Sequence, residues 1–364
     1  VRSFLWIIAC LLIFVGLGVG LVAAFGAGIP FLWDEKDTLP PPVTKLYGGG
    51  SSFVNPLMQE WCKQYIKNDK PVVYYASVGS GNGVESMLRR DFDFGATDAF
   101  IGDDQLSAQA GNNEVLHIPL AMGAVVLAYH VPGLEQPLKL DAKTVTGIFL
   151  GTIKKWNDKA LQQLNVDQAL PDRDILVAHR TDKSGTTAVF TEYLTKVSPT
   201  EWGQDPDLGK GTEMKKWKVG VGAVGNEGIA KYVKETEGAI GYLELTYAKK
   251  EKLQMANLKN QEGFLARPEL ANVTSAAEGA AGQVPPDLRF ELTNMQGKEA
   301  YPICGTVWAV VYVKQKNPEK AKALAEYFRW VTHEGQNFCE PLNYARLPKW
   351  LVDKVDPMLA KLGK

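Results

Sequence analysis

Short runs of β-branched and aromatic residues alternate along most of this chain with segments whose apolar positions recur every three to four residues. The first pattern fits buried strands and the second amphipathic helices, because side chains repeat with a period of 2 along a strand and 3.6 around a helix. Strands are expected at 71–75, 124–129, 175–178 and 307–313. Helical faces are expected where Leu57, Trp61, Tyr65 and Ile66 align, where Val84, Met87 and Leu88 do, and where Val189, Phe190, Tyr193 and Leu194 do. A further helix is expected over 321–331. The alternation predicts an α/β architecture.

Three of these helices follow Gly/Ser-rich loops: Gly48-Gly49-Gly50-Ser51-Ser52-Phe53, Gly79-Ser80-Gly81-Asn82-Gly83 and Asp182-Lys183-Ser184-Gly185-Thr186-Thr187. A helix N-terminus presents unpaired N–H groups and a partial positive charge. Three such termini aimed at one point make an anion cage. Taken singly, each Ser or Thr is also an ordinary N-cap and each glycine an ordinary turn residue. It is the repetition, at the loops where α/β folds gather ligands, that points to a site.

The N-terminal pattern is different. Residues 4–33 contain no charge, a run longer than the roughly 20 residues needed to cross a bilayer. It is expected to be a single membrane-spanning anchor over 1–33, although a cleaved signal peptide is the alternative for such a stretch. Arg2 precedes it and Asp34, Glu35, Lys36 and Asp37 follow, which weakly orients the body outward. Gly16 and Gly20 form a spacing that admits a neighbouring helix. Lipidation at Cys10 is disfavoured, because apolar sequence continues behind it. Pro40-Pro41-Pro42 makes the 34–45 segment a stiff linker.

Composition narrows the classes. The chain has 364 residues, 45% hydrophobic and 22% charged, with a formal net charge of -1. No broad basic surface is implied, so nucleic acid is not an expected partner. The cysteines at 10, 62, 304 and 339 have no C-x-x-C spacing, and the chain has four histidines. No metal site or cofactor is expected. Cys304 and Cys339 either form a disulfide or remain two buried thiols.

Charged residues supply selection within the cage. Arg180 sits between the 175–178 strand and the Ser184-Gly185-Thr186 loop. Its planar fork of donors suits two oxygens of a tetrahedral anion, and Asp182 can brace it. Asp98 ends the short Asp93-Phe94-Gly95-Ala96-Thr97-Asp98 stretch. An ionised carboxylate there accepts a hydrogen bond from a ligand that still carries a proton, such as phosphate, and repels one that has none, such as sulfate.

These segments resemble the periplasmic phosphate-binding proteins, the receptors of bacterial ABC phosphate importers. The resemblance rests on residues 48–53, 78–84, 93–98 and 179–186, and continues through Ile148 to Asp158, Gly225-Asn226-Glu227-Gly228-Ile229, Gly238 to Tyr242 and Tyr344 to Pro348. It implies a two-lobed, type II-like periplasmic-binding-protein fold with hinge strands, preceded here by one transmembrane helix. Lobe one would combine 46–120 with 304–364, and lobe two would be 121–303. By position, the resemblance implies that inorganic phosphate is held by Ser52, Phe53, Ser80, Asp98, Arg180, Asp182, Ser184, Gly185 and Thr186. No catalytic residue is implied. Val54 stands where the family usually has Pro, and Lys183 where it has a small residue; Lys183 is expected to point to solvent.

The leading reading is a phosphate receptor tethered to the bacterial inner membrane, its body on the periplasmic or extracellular side, serving an ABC permease. The alternative is a receptor-like accessory or structural subunit of a membrane complex, with phosphate binding secondary or vestigial. An enzyme is the least supported class, because no nucleophile stands beside a general base. If the apolar run stays attached, the protein remains in the membrane fraction through salt and alkaline washes, since apolar burial is not screened. N-terminal sequencing of the purified chain checks this, and a start near residues 26–34 overturns the anchor.

Overall fold

Most of the glycines that suggest loops in the sequence lie inside regular elements, and the close backbone packing they allow sets the shape of the site. The structure is a computed structural model that describes residues 44–66 and 70–362. The expected membrane segment and nearly all of the 34–45 linker lie outside the described residues. Among the described residues, no helix is long and apolar enough to cross a membrane.

The principal sheet contains β1 (Lys45–Gly50), β2 (Val72–Ser77), β3 (Phe94–Thr97), β4 (Val115–Tyr129), β5 (Leu176–Arg180), β6 (Val221–Ala223), β7 (Ala239–Glu244), β8 (Gln254–Met255), β9 (Leu292–Thr293) and β10 (Ile303–Tyr312). Its order is β2-β1-β3-β10-β4-β7-β5-β6, with β9 on β10 and β8 on β4. β1 runs parallel to β2 and β3, and β5 runs parallel to β6 and β7. Between these parallel halves stand β10 and β4, antiparallel to each other and to their outer neighbours. The result is a two-lobed α/β fold.

β4 connects the lobes. It pairs with β10 from Val115 to Ala124 and with β7 from Val125 to Tyr129. The sequence pattern predicts only its second half, because His117, Pro119 and Gly123 interrupt the apolar run. Proline cannot donate to a ladder. Here Pro119 lies opposite Trp308 and Ala121 opposite Val307, so Leu120 is the extra residue of a bulge that absorbs the proline.

The helices named here are α1 (Asn55–Tyr65), α2 (Ser80–Leu88), α3 (Gly185–Val197), α4 (Gly225–Glu235) and α5 (Pro318–Thr332). α1 buries Leu57, Met58, Trp61 and Tyr65, while Ile66 lies past its end and is exposed. α3 buries Val189, Phe190, Tyr193 and Leu194, matching the predicted face. Cys62, Cys304 and Cys339 are free thiols. Cys304 donates to the Tyr301 carbonyl (3.3 Å) and Cys339 to Gln336 Oε1 (3.7 Å), so the disulfide alternative is not formed.

Gly48, Gly49 and Gly50 belong to β1, and Gly81 and Gly83 lie inside α2. A Cβ on Gly83 would stand 2.4 Å from Gly50 Cα and 2.5 Å from the Gly49 carbonyl oxygen. Helix and strand therefore touch backbone to backbone, and no rotamer change can relieve an added methyl. Gly83→Ala is expected to cost about 1 to 3 kcal/mol of stability. The check is the urea midpoint of unfolding, which falls with an unchanged slope.

Candidate functional site

Strand ends and helix starts deliver the expected residues to one buried cluster between the lobes. Ser51 and Ser52 follow β1, Ser80 opens α2, Asp98 follows β3, and Arg180 closes β5 just before α3. Ser52, Ser80, Asp98, Arg180, Ser184 and Thr186 are all buried.

Arg180 is the hub, with its side chain 1% exposed. Its Nε donates to Asp182 Oδ1 at 2.7 Å and its Nη2 to Asp182 Oδ2 at 2.5 Å, a fork-to-fork ion pair. Nη2 also donates to Ser52 Oγ across the cleft (3.1 Å), and Nη1 to Thr186 Oγ1 (3.4 Å). The backbone N–H of Arg180 donates to the Tyr242 hydroxyl (3.0 Å), which locks the end of β5. Burial works against the charge of Asp182, but the Arg180 hydrogen bonds and charge, with the Gly225 N–H (3.1 Å), hold its carboxyl below the ordinary value.

Asp98 faces this hub from the other lobe. Ser51 Oγ and Ser80 Oγ donate to its two oxygens, the latter at 3.4 Å, and its own N–H donates to Ser80 Oγ at 3.3 Å. Gly185 closes against the same pair: a Cβ there would stand 2.3 Å from Ser80 Oγ and 2.4 Å from Asp98 Oδ2. Ser184 caps α3 by accepting from the Thr187 N–H at 3.0 Å. Among the described residues, the first-turn N–H groups of Gly185 and Thr186 have no acceptor. Phe53 takes a different place from the other eight, since its ring is core, and its carbonyl accepts from the Tyr344 hydroxyl (2.7 Å).

Two members of the cluster escape sequence reasoning. Ser51 holds Asp98, although adjacent Ser51 and Ser52 look interchangeable in sequence. Asn226, at the start of α4, donates to Ser52 Oγ (3.0 Å) and Thr186 Oγ1 (3.4 Å), while its Oδ1 accepts from the Glu244 N–H (3.0 Å). The Gly225-Asn226-Glu227 motif carries that signal, but nothing in its spacing assigns it a role. Lys183 corrects an expectation: its Nζ meets Glu85 Oε1 at 2.5 Å instead of pointing to solvent.

A family model described as a PBP superfamily domain matches residues 36–334. The phosphate-binding protein PstS of Pasteurella multocida is 36% identical over 310 residues, 85% of this chain and 88% of the relative. This chain belongs to the PstS phosphate-binding protein family. The PstS of Haemophilus influenzae is 35% identical, covering 87% of this chain and 93% of its own. A solved phosphate-binding protein from Stenotrophomonas maltophilia shares the fold, with a TM-score of 0.69 at 18% identity over 86% of this chain and 93% of that one. The two PstS relatives are named as binding proteins, and among the described residues no cluster of His, Cys, Asp or Glu could hold a metal ion.

Burial pushes the Asp98 carboxyl from 3.8 up to about 7, against the opposing pull of Ser51, Arg180 and Ser80. The sequence reading takes this group as ionised, whereas a carboxyl raised to about 7 is near its midpoint at neutral pH. A folded-state pKa above the unfolded value means that the folded protein binds protons more tightly. The resulting stability is complete below the unfolded value and is lost as pH rises through about 7. In phosphate-free protein, thermal stability is therefore expected to fall between about pH 5 and about pH 8, and to fall less in Asp98→Asn. Thermal melts of both proteins across that range are the check; parallel curves contradict it.

Proposed function

We propose that this chain captures inorganic phosphate in the interlobe cluster and passes it to an ABC phosphate permease, tethered to the membrane by the apolar run at 4–33. The observation that carries the reading is the convergence of Arg180, Asp98 and the α3 start on one buried point, in a member of the PstS family. Arg180, Ser52, Ser80, Ser184, Thr186 and the N–H groups of Phe53, Gly185 and Thr186 would donate to the anion's oxygens. Asp182 would keep the guanidinium fork in plane, and Asp98 would share the ligand's proton. Asn226 would position the Ser52 and Thr186 hydroxyls, because its amide donates to the same two oxygens as Arg180.

The same chemistry disfavours sulfate. An ionised Asp98 facing a proton-free oxygen leaves two acceptors unpaired in a buried site. At lower pH a protonated Asp98 can donate to sulfate, so discrimination is expected to grow as pH rises through about 7. The hinge for capture is β4 with β10, the strands that run from one lobe to the other.

Calorimetric titration with phosphate, with sulfate as competitor, tests the reading. Wild type is expected to bind phosphate tightly, and Arg180→Ala to lose about 2 to 5 kcal/mol of affinity, because it removes one partner of a buried charged set. Asp98→Asn is expected to flatten the pH dependence of phosphate over sulfate preference. Normal affinity in Arg180→Ala, or no phosphate binding by wild type, overturns it.

A further inference from the structure

Lys183 touches the opposite lobe at three points. Its carbonyl accepts the Gly81 N–H at 3.0 Å. Its aliphatic stem lies over Gly81, where a Cβ would stand 2.6 Å from Lys183 Cβ and 3.0 Å from Cδ. Its ammonium reaches Glu85 on α2, one turn further along. Lys183 belongs to the loop that enters α3, whereas Gly81 and Glu85 belong to the helix packed on β1 and β3. Lys183 makes no side-chain hydrogen bond to Ser52, Ser80, Asp98, Arg180 or Thr186.

We propose that Lys183 and Glu85 form a latch across the mouth of the cleft that sets how long phosphate is held, without either residue touching phosphate. This rests on the phosphate reading of the site. An ion pair within one lobe is the same whether the cleft is open or closed and shifts nothing. A pair that spans the lobes exists only when they are closed, so its whole energy favours the closed state and slows release. Both side chains are about one-third exposed, at 35% and 37%, so the pair is modest and is screened by salt.

Opening need not strand the carboxylate. Arg89 Nη1 lies 3.9 Å from the other Glu85 oxygen, one helical turn away on α2. On opening, Glu85 keeps that partner, and Lys183 keeps the nearby charge of Glu213. Each half of the latch thus has a resting partner in its own lobe, which makes the contact reversible. The stem over Gly81 fixes where the ammonium can reach, so Lys183 sets the register of closure as well as its charge.

A double-mutant cycle on phosphate release from the full chain tests the latch. At low salt, Lys183→Met and Glu85→Gln are each expected to speed release about 2- to 5-fold, the double variant no more than either alone. The reversed pair, Lys183→Glu with Glu85→Lys, recovers slow release, and at roughly 1 M salt the variants converge on wild type. Additive single effects, or reversal without recovery, overturn the latch. Small-angle scattering of the phosphate-free chain supplies a readout that needs no ligand: Lys183→Met is expected to be more expanded than wild type, and equal radii overturn the latch. If wild type fails to bind phosphate, the phosphate reading falls, while scattering still decides the latch.

Discussion

Burying a guanidinium until its side chain is 1% exposed is costly unless its donors are met, and those of Arg180 are met from both lobes at once. Asp182 supplies the counter-charge from the same loop, Thr186 accepts from the start of α3, and Ser52 accepts from beyond the cleft. The lobes are thereby coupled through one side chain. Moving them apart removes Ser52 from Nη2 while the pair with Asp182 stays within its lobe, so the cross-cleft bond forms only on closure. Tyr242 extends this rigidity into the sheet, since its hydroxyl accepts from the Arg180 N–H and meets Thr187 Oγ1 at 2.7 Å.

That closeness depends on missing side chains. Gly185 lets α3 approach Ser80 and Asp98, Gly81 accommodates the Lys183 stem, and Gly83 lets α2 lie on β1. A methyl at any of these would enter space already held by a polar atom, a side chain or backbone. The glycines that read as phosphate-cradling loops in the sequence are thus, in β1 and α2, the means by which elements come near enough for Ser51, Ser52, Ser80 and Asp98 to converge. Their contribution to the cluster is through distance.

Local pattern revealed most of this where local physics decides it. The apolar faces of α1 and α3, and the strand before Arg180, are legible because burial imposes a period on the sequence. The first half of β4 is not legible, because Pro119 and Gly123 break the apolar run and only the pairing with β10 reveals the bulge that tolerates them. Arg180, Asp98, Ser80 and Thr186 stand out only together, because each has an ordinary use alone and it is the repeated loop-to-helix pattern that singles them out. Asn226 and Lys183 do not, since one is placed by a hydrogen bond from Glu244 and the other by an ion pair to Glu85, 98 positions away. Contacts between distant segments leave no periodic trace.

The electrostatics of the cluster favour recognition by direction over recognition by net charge. Arg180 is already balanced by Asp182, and Asp98, raised to about 7, is near its midpoint at neutral pH. The buried cluster therefore has little formal positive charge to offer an anion. What it holds is a set of oriented dipoles: the Ser80 hydroxyl, the Ser52 and Thr186 hydroxyls fixed by the Asn226 amide and Arg180, and first-turn N–H groups of α3. Such donors reward an oxygen only along fixed directions, and a group of the wrong protonation state meets Asp98 without a partner. A cluster built mainly of cations would hold any small oxyanion. One whose cation is internally neutralised and whose carboxyl is raised to about 7 would, on the proposed phosphate reading, favour the tetrahedral anion that still carries a proton.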